Sequence, residues 1–205
     1  MAVFTKALRD SFNYSNNYLF IDTETNGLPK NWKGDVTDLN NWPRMIQFAY
    51  RQHDREGKLI SSGSFIIKPV GFVIDEQFSN IHGITNTRAM IQGISLKTIL
   101  SLIKELIDNS SVIIGHNLSF DENIIGAELL RAGIGYSLQN KTKICTMEST
   151  VDLCCIETEL GYKYPKLSEL YYFLFNKELK DAHNAAIDVS ATAKCFWELK
   201  RRGLI

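Results

Sequence analysis

The chain lacks an excess of either charge, a long apolar run, a low-complexity segment and a cysteine pair at metal-binding spacing. Each absence closes a class of function. Lys plus Arg and Asp plus Glu both number 23, so the formal net charge is zero. That balance predicts no general attraction for nucleic acid, and any phosphate-binding face must be local. It argues against a protein that coats long nucleic acids. No run of about 18 apolar residues occurs, which argues against a transmembrane helix and a membrane partner. The opening MAVFTKALRDSFNYSNNY has no long apolar core of a secretion signal. The cysteines, Cys145, Cys154, Cys155 and Cys195, form no C-x-x-C and have no His at zinc-finger spacing. Reduced, mostly buried thiols in a cytoplasmic protein are the expectation. There is no Pro/Gly/Ser-rich linker, charge block or internal repeat. With 44% hydrophobic and 11% aromatic content, residues 1–205 are expected to form one globular domain.

What is present is a succession of strand and helix patterns. An apolar run from about Tyr18 to Asp22 predicts a first strand, and RMIQFAYR and LISSGSFIIKP predict two more. The polar QHDREGK between them reads as a hairpin connection. LKTILSLIKELID places Leu96, Ile99, Leu100, Ile103, Leu106 and Ile107 at helical spacing. SVIIG is short, apolar and ended by Gly115, as expected of a strand buried on both faces. DENIIGAELLRAG predicts a helix opened by an acidic residue and closed by Gly133. KIC suggests a short strand, KLSELYYFLF an amphipathic helix, and the stretch from about Ala185 to Arg202 a final helix with basic residues in its last turn. Antiparallel strands first, then helices alternating with short buried strands, predict an α/β fold: a mixed sheet flanked by helices.

Several polar residues break these patterns. Asp22 and Glu24 in YLFIDTETNG lie two apart on a strand and so point the same way. Two carboxylates side by side at pH 7 repel unless a proton or a cation sits between them. A solvent-facing strand end before the Asn26-Gly27 turn is the simpler account of that pair alone. Asp121, in VIIGHNLSFDENII beside His116 and Asn117, alone reads as a first-turn acid. Asp188 sits among Ala185, Ala186, Ile187 and Val189, which give it little reason to be solvated. His183 lies five residues earlier, about 140° away on a continuous helix, so it belongs to the preceding loop. Taken together, four carboxylates at element ends converge beside the first strand only if cations neutralise them. Mg²⁺ or Mn²⁺ suits an all-oxygen ligand set. Two such ions about 3.5–4 Å apart would clamp the attacking and leaving oxygens of a phosphodiester, and a nearby His would take a proton from water.

IDTETNG, IGHNLSFD and HNAAID resemble, in order and spacing, the three motifs of the DEDDh class of DnaQ-like 3′–5′ exonucleases, which includes the proofreading epsilon subunit of bacterial DNA polymerase III. The match runs from about residue 17 to 202, and IHGIT at 81–85 resembles a further segment of that family. The resemblance implies a ribonuclease-H-like fold and two-metal hydrolysis of a 3′-terminal nucleotide to a 5′-monophosphate. It implies Asp22, Glu24, Asp121 and Asp188 as metal ligands and His183 as general base. Thr25 would hold the terminal sugar, Leu28 and Phe120 would pack on the last bases, and Asn117 would support the site. Leu28 and Phe120 also fit ordinary core positions. Asn26 departs from the family, where many members have a second Thr. The implied partner is a single-stranded 3′ end, DNA before RNA, with a polymerase as a possible associate.

Outside the motifs, PKNWKGDVTDLNNWP (29–43) is a long polar loop whose Trp32 and Trp42 are costly to expose, so it is expected to fold down on the protein. It is a candidate lip of the cleft, with Lys30 and Lys33 near phosphates. GYKYPK interleaves aromatics with lysines, as single-strand surfaces do, but a loop before a helix also has this composition. Two further function classes stay open: an RNA or short-oligonucleotide exonuclease, and a non-catalytic module that docks on a polymerase. Against the last stands the cost of burying unpaired carboxylates.

Overall fold

A computed structural model describes residues 17–135, 141–180 and 184–205. Strand β1 (Tyr18–Thr25) lies at the centre of a five-stranded sheet with β2 (Met45–His53), β3 (Leu59–Ile66), β4 (Val112–Gly115) and β5 (Thr142–Cys145) in the order β3-β2-β1-β4-β5. β1, β2 and β3 pair antiparallel, whereas β4 and β5 run parallel to β1 and β4 respectively. This is the mixed sheet expected from the sequence. Two features make β1 the spine: Leu19, Phe20 and Ile21 are all fully buried, and only a central strand covered on both faces reads as a continuous apolar run.

The two faces bury different helices. Leu19 and Ile21 join Phe48 and Ile113 in a core closed by α3 (Leu96–Asp108) and α4 (Leu118–Arg131). Phe20, Ala49 and Ile114 face the other way, onto Ala185, Val189, Ala193 and Phe196 of the last helix, α7 (Ala185–Arg201). α3 occupies the span its apolar spacing predicts, with the Ser95 hydroxyl accepting from the Thr98 amide as N-cap. Its buried Ile99, Leu100, Ile103, Leu106 and Ile107 each contribute about 1.5–3 kcal/mol by leaving water. α6 (Leu167–Phe175) packs Leu170 and Leu174 on Cys195 and Leu199 of α7.

The β2–β3 hairpin turns at Asp54–Lys58, where the Asp54 carboxylate accepts from the amides of Glu56 and Lys58. Gly57 there has φ +87°, and an added Cβ would meet the Trp197 ring at 3.2 Å, so both backbone and space require glycine.

Several expectations are corrected. β1 does not stop near Asp22 but continues to Thr25, so both acids are strand residues. α4 begins at Leu118, not at an acid: Asn117 takes the left-handed conformation (φ 68°, ψ 44°) and starts the helix, a position Asn tolerates. α1 (Glu76–His82), α2 (Asn86–Gln92), α5 (Val151–Cys154) and the β6–β7 pair (Glu157–Thr158, Gly161–Tyr162) have no counterpart in the sequence patterns; seven residues or fewer leave no room for a periodic apolar stripe. Only Cys195 is buried; Cys145 and Cys154 are half-buried and Cys155 is exposed. Trp42 is covered as expected, but Trp32 is 57% exposed. Among the described residues no helix is long and apolar enough to cross a membrane.

Candidate active site

The sheet is unfinished beside the end of β1. β4 pairs with β1 only as far as Phe20↔Ile114, so beyond that point β1 has no strand neighbour on that edge. The open edge is used. Asp121, one turn into α4, reaches it from one face of the sheet, and its Oδ1 accepts from the Thr23 amide (2.9 Å) and the Thr23 hydroxyl (2.7 Å). Asp121 is only 3% exposed, and these two bonds fix its orientation.

From the opposite face come Asp22 and Glu24, with Asp188 in the first turn of α7. Ligand oxygens of Asp22, Glu24 and Asp188 all lie within 4.8 Å of one another. α7 is held at this point by Gln47, the register partner of Glu24 on β2. Gln47 Oε1 accepts from the Ala185 amide at 3.3 Å while its Nε2 donates to Ser64 Oγ. One of the orphan amides of the helix start is thereby satisfied by a sheet residue, and Asp188 is set one turn further on. His183 lies outside the described residues.

Burial and repulsion from neighbouring acids push Asp22, Glu24 and Asp121 the same way. Asp22 is raised well above the usual carboxylate range, first by burial and then by Asp121, Asp188 and Glu24. Glu24 is pushed up to about 8 by burial, Asp188 and Asp121. Asp121 is pushed up to about 7 by burial, against the opposing pull of the two Thr23 hydrogen bonds. Such a cluster favours whatever neutralises it, a proton or a cation. Its donors are all carboxylate oxygens, which fit a hard divalent ion such as Mg²⁺ or Mn²⁺.

Around the acids, Thr25 is buried and its hydroxyl donates to Gly27 O at 2.7 Å. Leu28 is 65% exposed, so it is not a core residue. Phe120 packs partly on the core, and its outer side meets the Trp32 ring at 5.7 Å between centroids. Asn117 makes no side-chain bond into the start of α4. His116 ties the end of β4 to the segment before α6, with Nδ1 at 3.0 Å from Thr146 Oγ1 and Nε2 at 3.0 Å from Pro165 O. Burial lowers its pKa to about 4, so it is neutral at pH 7.

The loop from Leu28 to Pro43 is pinned at several places. Asn26 Oδ1 accepts from the Arg44 amide at 2.7 Å and the Asn26 amide donates to Arg44 O, closing the mouth of the loop. The residue that departs from the family thus has a structural task. Glu128 of α4 is fully buried and accepts from Arg44 Nε (2.8 Å) and the Met45 amide (3.0 Å), with Arg131 at 3.3 Å. Arg131 in turn donates to the carbonyls of Leu39 and Trp42.

Sequence reasoning singled out the four carboxylates but missed Thr23 and Gln47. For Thr23 a signal existed: a hydroxyl residue sits between two acids on a strand. For Gln47 none did, because its partner lies 138 residues away.

A family model described as Exonuclease (RNase_T) matches residues 19–196. No curated protein matches the chain. Among solved structures, Escherichia coli exonuclease I in complex with a dA16 oligonucleotide matches with a TM-score of 0.71 and 22% identity, covering 92% of this chain and 41% of that one. The structure of exonuclease I described as suggesting how processivity is achieved gives 0.74 and 22%, covering 93% and 42%. The zinc-ion-bound form of the E. coli exonuclease I–ssDNA complex gives 0.72 and 21%, covering 92% and 41%. These likenesses show the ribonuclease-H-like exonuclease fold. The chain spans about two fifths of the length of those proteins.

Proposed function

The chain belongs to the exonuclease family, and from that premise we propose that it is a metal-dependent 3′–5′ exonuclease releasing nucleoside 5′-monophosphates from single-stranded DNA. The observation that carries this reading is the approach of Asp22, Glu24 and Asp188, half-buried at the end of β1, to within 4.8 Å of one another, with Asp121 oriented beside them by Thr23. Metal binding offsets the cost of gathering these acids; without it the cluster only destabilises the fold.

In this reading Asp22, Glu24, Asp121 and Asp188 would hold two divalent ions, Mg²⁺ or Mn²⁺. When bound, such ions supply Lewis-acid activation of water and charge neutralisation at the scissile phosphate. The two Thr23 hydrogen bonds favour the carboxylate form of Asp121 and so oppose the burial that raises its pKa. The Thr25 hydroxyl donates to Gly27 O, which leaves its oxygen free to accept from the 3′-hydroxyl of the terminal sugar. Leu28 and Phe120 offer apolar surface to the last bases, and Asn117 supports the site from the end of β4. His183 takes the proton of the attacking water, a role carried over from the family motif HNAAID. Oligonucleotide complexes of the exonuclease I structures favour DNA; RNA or short oligonucleotides are the second reading, favoured by the neutral charge, since short substrates need few phosphate contacts. The single-domain organisation, the cytoplasmic setting and a polymerase partner belong to the same proposal.

A 5′-labelled single strand incubated with Mg²⁺ or Mn²⁺ tests it. A ladder of shortened labelled products is expected, abolished by chelator and lost by more than about 100-fold in Asp22→Ala. Internal cuts alone, or full activity in that variant, overturn the reading. DNA and RNA strands of equal length, run in parallel, separate the two substrates. His183→Ala is expected to lower kcat by about 10²–10⁴-fold while calorimetry still detects divalent-ion binding. Calorimetry showing no ion binding by the unaltered protein points instead to a docking module.

A further inference from the structure

The three tryptophans are treated very differently by the fold. Trp42 is 4% exposed and donates Nε1 to Asp35 O at 3.0 Å. Trp197 is half-buried and donates Nε1 to His53 Nδ1 at 2.9 Å. Trp32 alone is turned outward, 57% exposed. An indole is the largest apolar side chain a protein can leave in water, and an exposed one is informative where a single exposed Leu is not.

Trp32 is also held against a residue that adjoins the acidic cluster in sequence. Its ring meets Phe120 at 5.7 Å with a tilt of 39°, and Phe120 directly precedes Asp121. The loop that carries it is braced on both sides. The Asn41 side chain accepts from the Asn31 amide at 2.7 Å and donates to Asn31 O at 2.9 Å. Asn26 closes the mouth on Arg44, and Arg131 ties down the carbonyls of Leu39 and Trp42. The indole is therefore presented by a rigid scaffold, and little ordering cost remains to be met on binding. Lys30 and Lys33 on either side are exposed, suited to the phosphates of a strand lying across the ring.

We propose that Trp32 is a stacking platform for an unpaired base of the substrate strand, beyond the bases that Leu28 and Phe120 take. The inference rests on the nuclease reading above and adds a contact that lengthens the site away from the carboxylates. Stacking on an aromatic face is indifferent to base identity but needs the base unpaired. The platform thus selects single strands over duplex and strands of several nucleotides over dinucleotides.

The experiment compares the unaltered protein with Trp32→Phe, Trp32→Leu and Trp32→Ala on single-stranded DNA of two to about twelve nucleotides, with circular dichroism to check folding. Trp32→Leu keeps apolar cover over Phe120 but has no planar face. Expected are a KM for the longer strands raised about 5- to 30-fold in the Leu and Ala variants, a kcat within about threefold, and recovery of most of the affinity in Trp32→Phe. In chelator, where no hydrolysis follows, an oligothymidylate should quench the tryptophan fluorescence of the unaltered protein and not that of Trp32→Phe. Equal KM values for Trp32→Leu and the unaltered protein at every length, or equal quenching in Trp32→Phe, overturn the proposal. If the unaltered protein hydrolyses nothing, the nuclease reading fails while the quenching still decides the platform.

Discussion

Carboxyls crowded at the end of β1 are biased toward their protonated form by the fold, and this sets how the metal-free protein responds to pH. Glu24 and Asp121 titrate near 8 and 7, well above their values in an unfolded chain. Between those limits the folded state carries more protons than the unfolded one, so stability is present at low pH and lost as pH rises through about 7 to 8. The metal-free melting temperature is expected to fall from pH 5 to pH 8.5, and Mg²⁺ or Mn²⁺ to restore it more at pH 8 than at pH 5; differential scanning calorimetry checks both. Asp22→Asn removes one charge without changing shape. It should raise metal-free stability at pH 8 by about 1–3 kcal/mol while abolishing hydrolysis. Thr23→Val deletes the hydroxyl bond to Asp121 and leaves the amide bond. Asp121 then ionises less readily, and divalent-ion affinity measured by calorimetry should drop about 10- to 100-fold. At this scale the sequence showed the acids clearly, because charges in apolar runs are conspicuous. The residues that aim them were not legible, since a threonine or glutamine on a strand is unremarkable until its distant partner is known.

The elements differ in how strongly their own residues determine them. α3 is recoverable to the residue because its apolar spacing and its Ser95 cap point to the same ends. β1 extends past its apolar run: the pattern looks broken where Asp22 and Glu24 replace apolar residues, although backbone pairing with β2 continues to Thr25. The start of α4 is hidden in the sequence for a different reason. Asn117 has a left-handed backbone, and the helix opens on Leu118, an apolar residue that carries no start signal. The long loop after β1 depends on one buried acid. Glu128→Ala would take the acceptor from Arg44 Nε and the Met45 amide and the counter-charge from Arg131, at a cost of about 3–5 kcal/mol. Urea denaturation should show the lower midpoint. Glu128→Gln, which keeps an acceptor, should lose less.

For the molecule as a whole, the mixed sheet and its helical layers followed from the succession of apolar patterns, but the strand order and the union of the site from both layers did not. α4 brings Asp121 from one side of β1 and α7 brings Asp188 from the other, and no local pattern encodes that meeting. The zero net charge has its own consequence. A strand held by few phosphate contacts releases few counterions, so the slope of log affinity against log salt should be shallow, about −0.7 for each phosphate neutralised. A slope steeper than about −4, from KM measured across salt concentrations, would contradict that picture. Finally, the hydrogen bonds that set the acids join Thr23 to Asp121 across 98 residues and Gln47 to Ala185 across 138. Closing spans of that length is entropically slow and occurs only as the sheet and its helices assemble. No fragment that ends before α7 can possess the pocket, and during refolding enzymatic competence should appear with the final cooperative step rather than ahead of it.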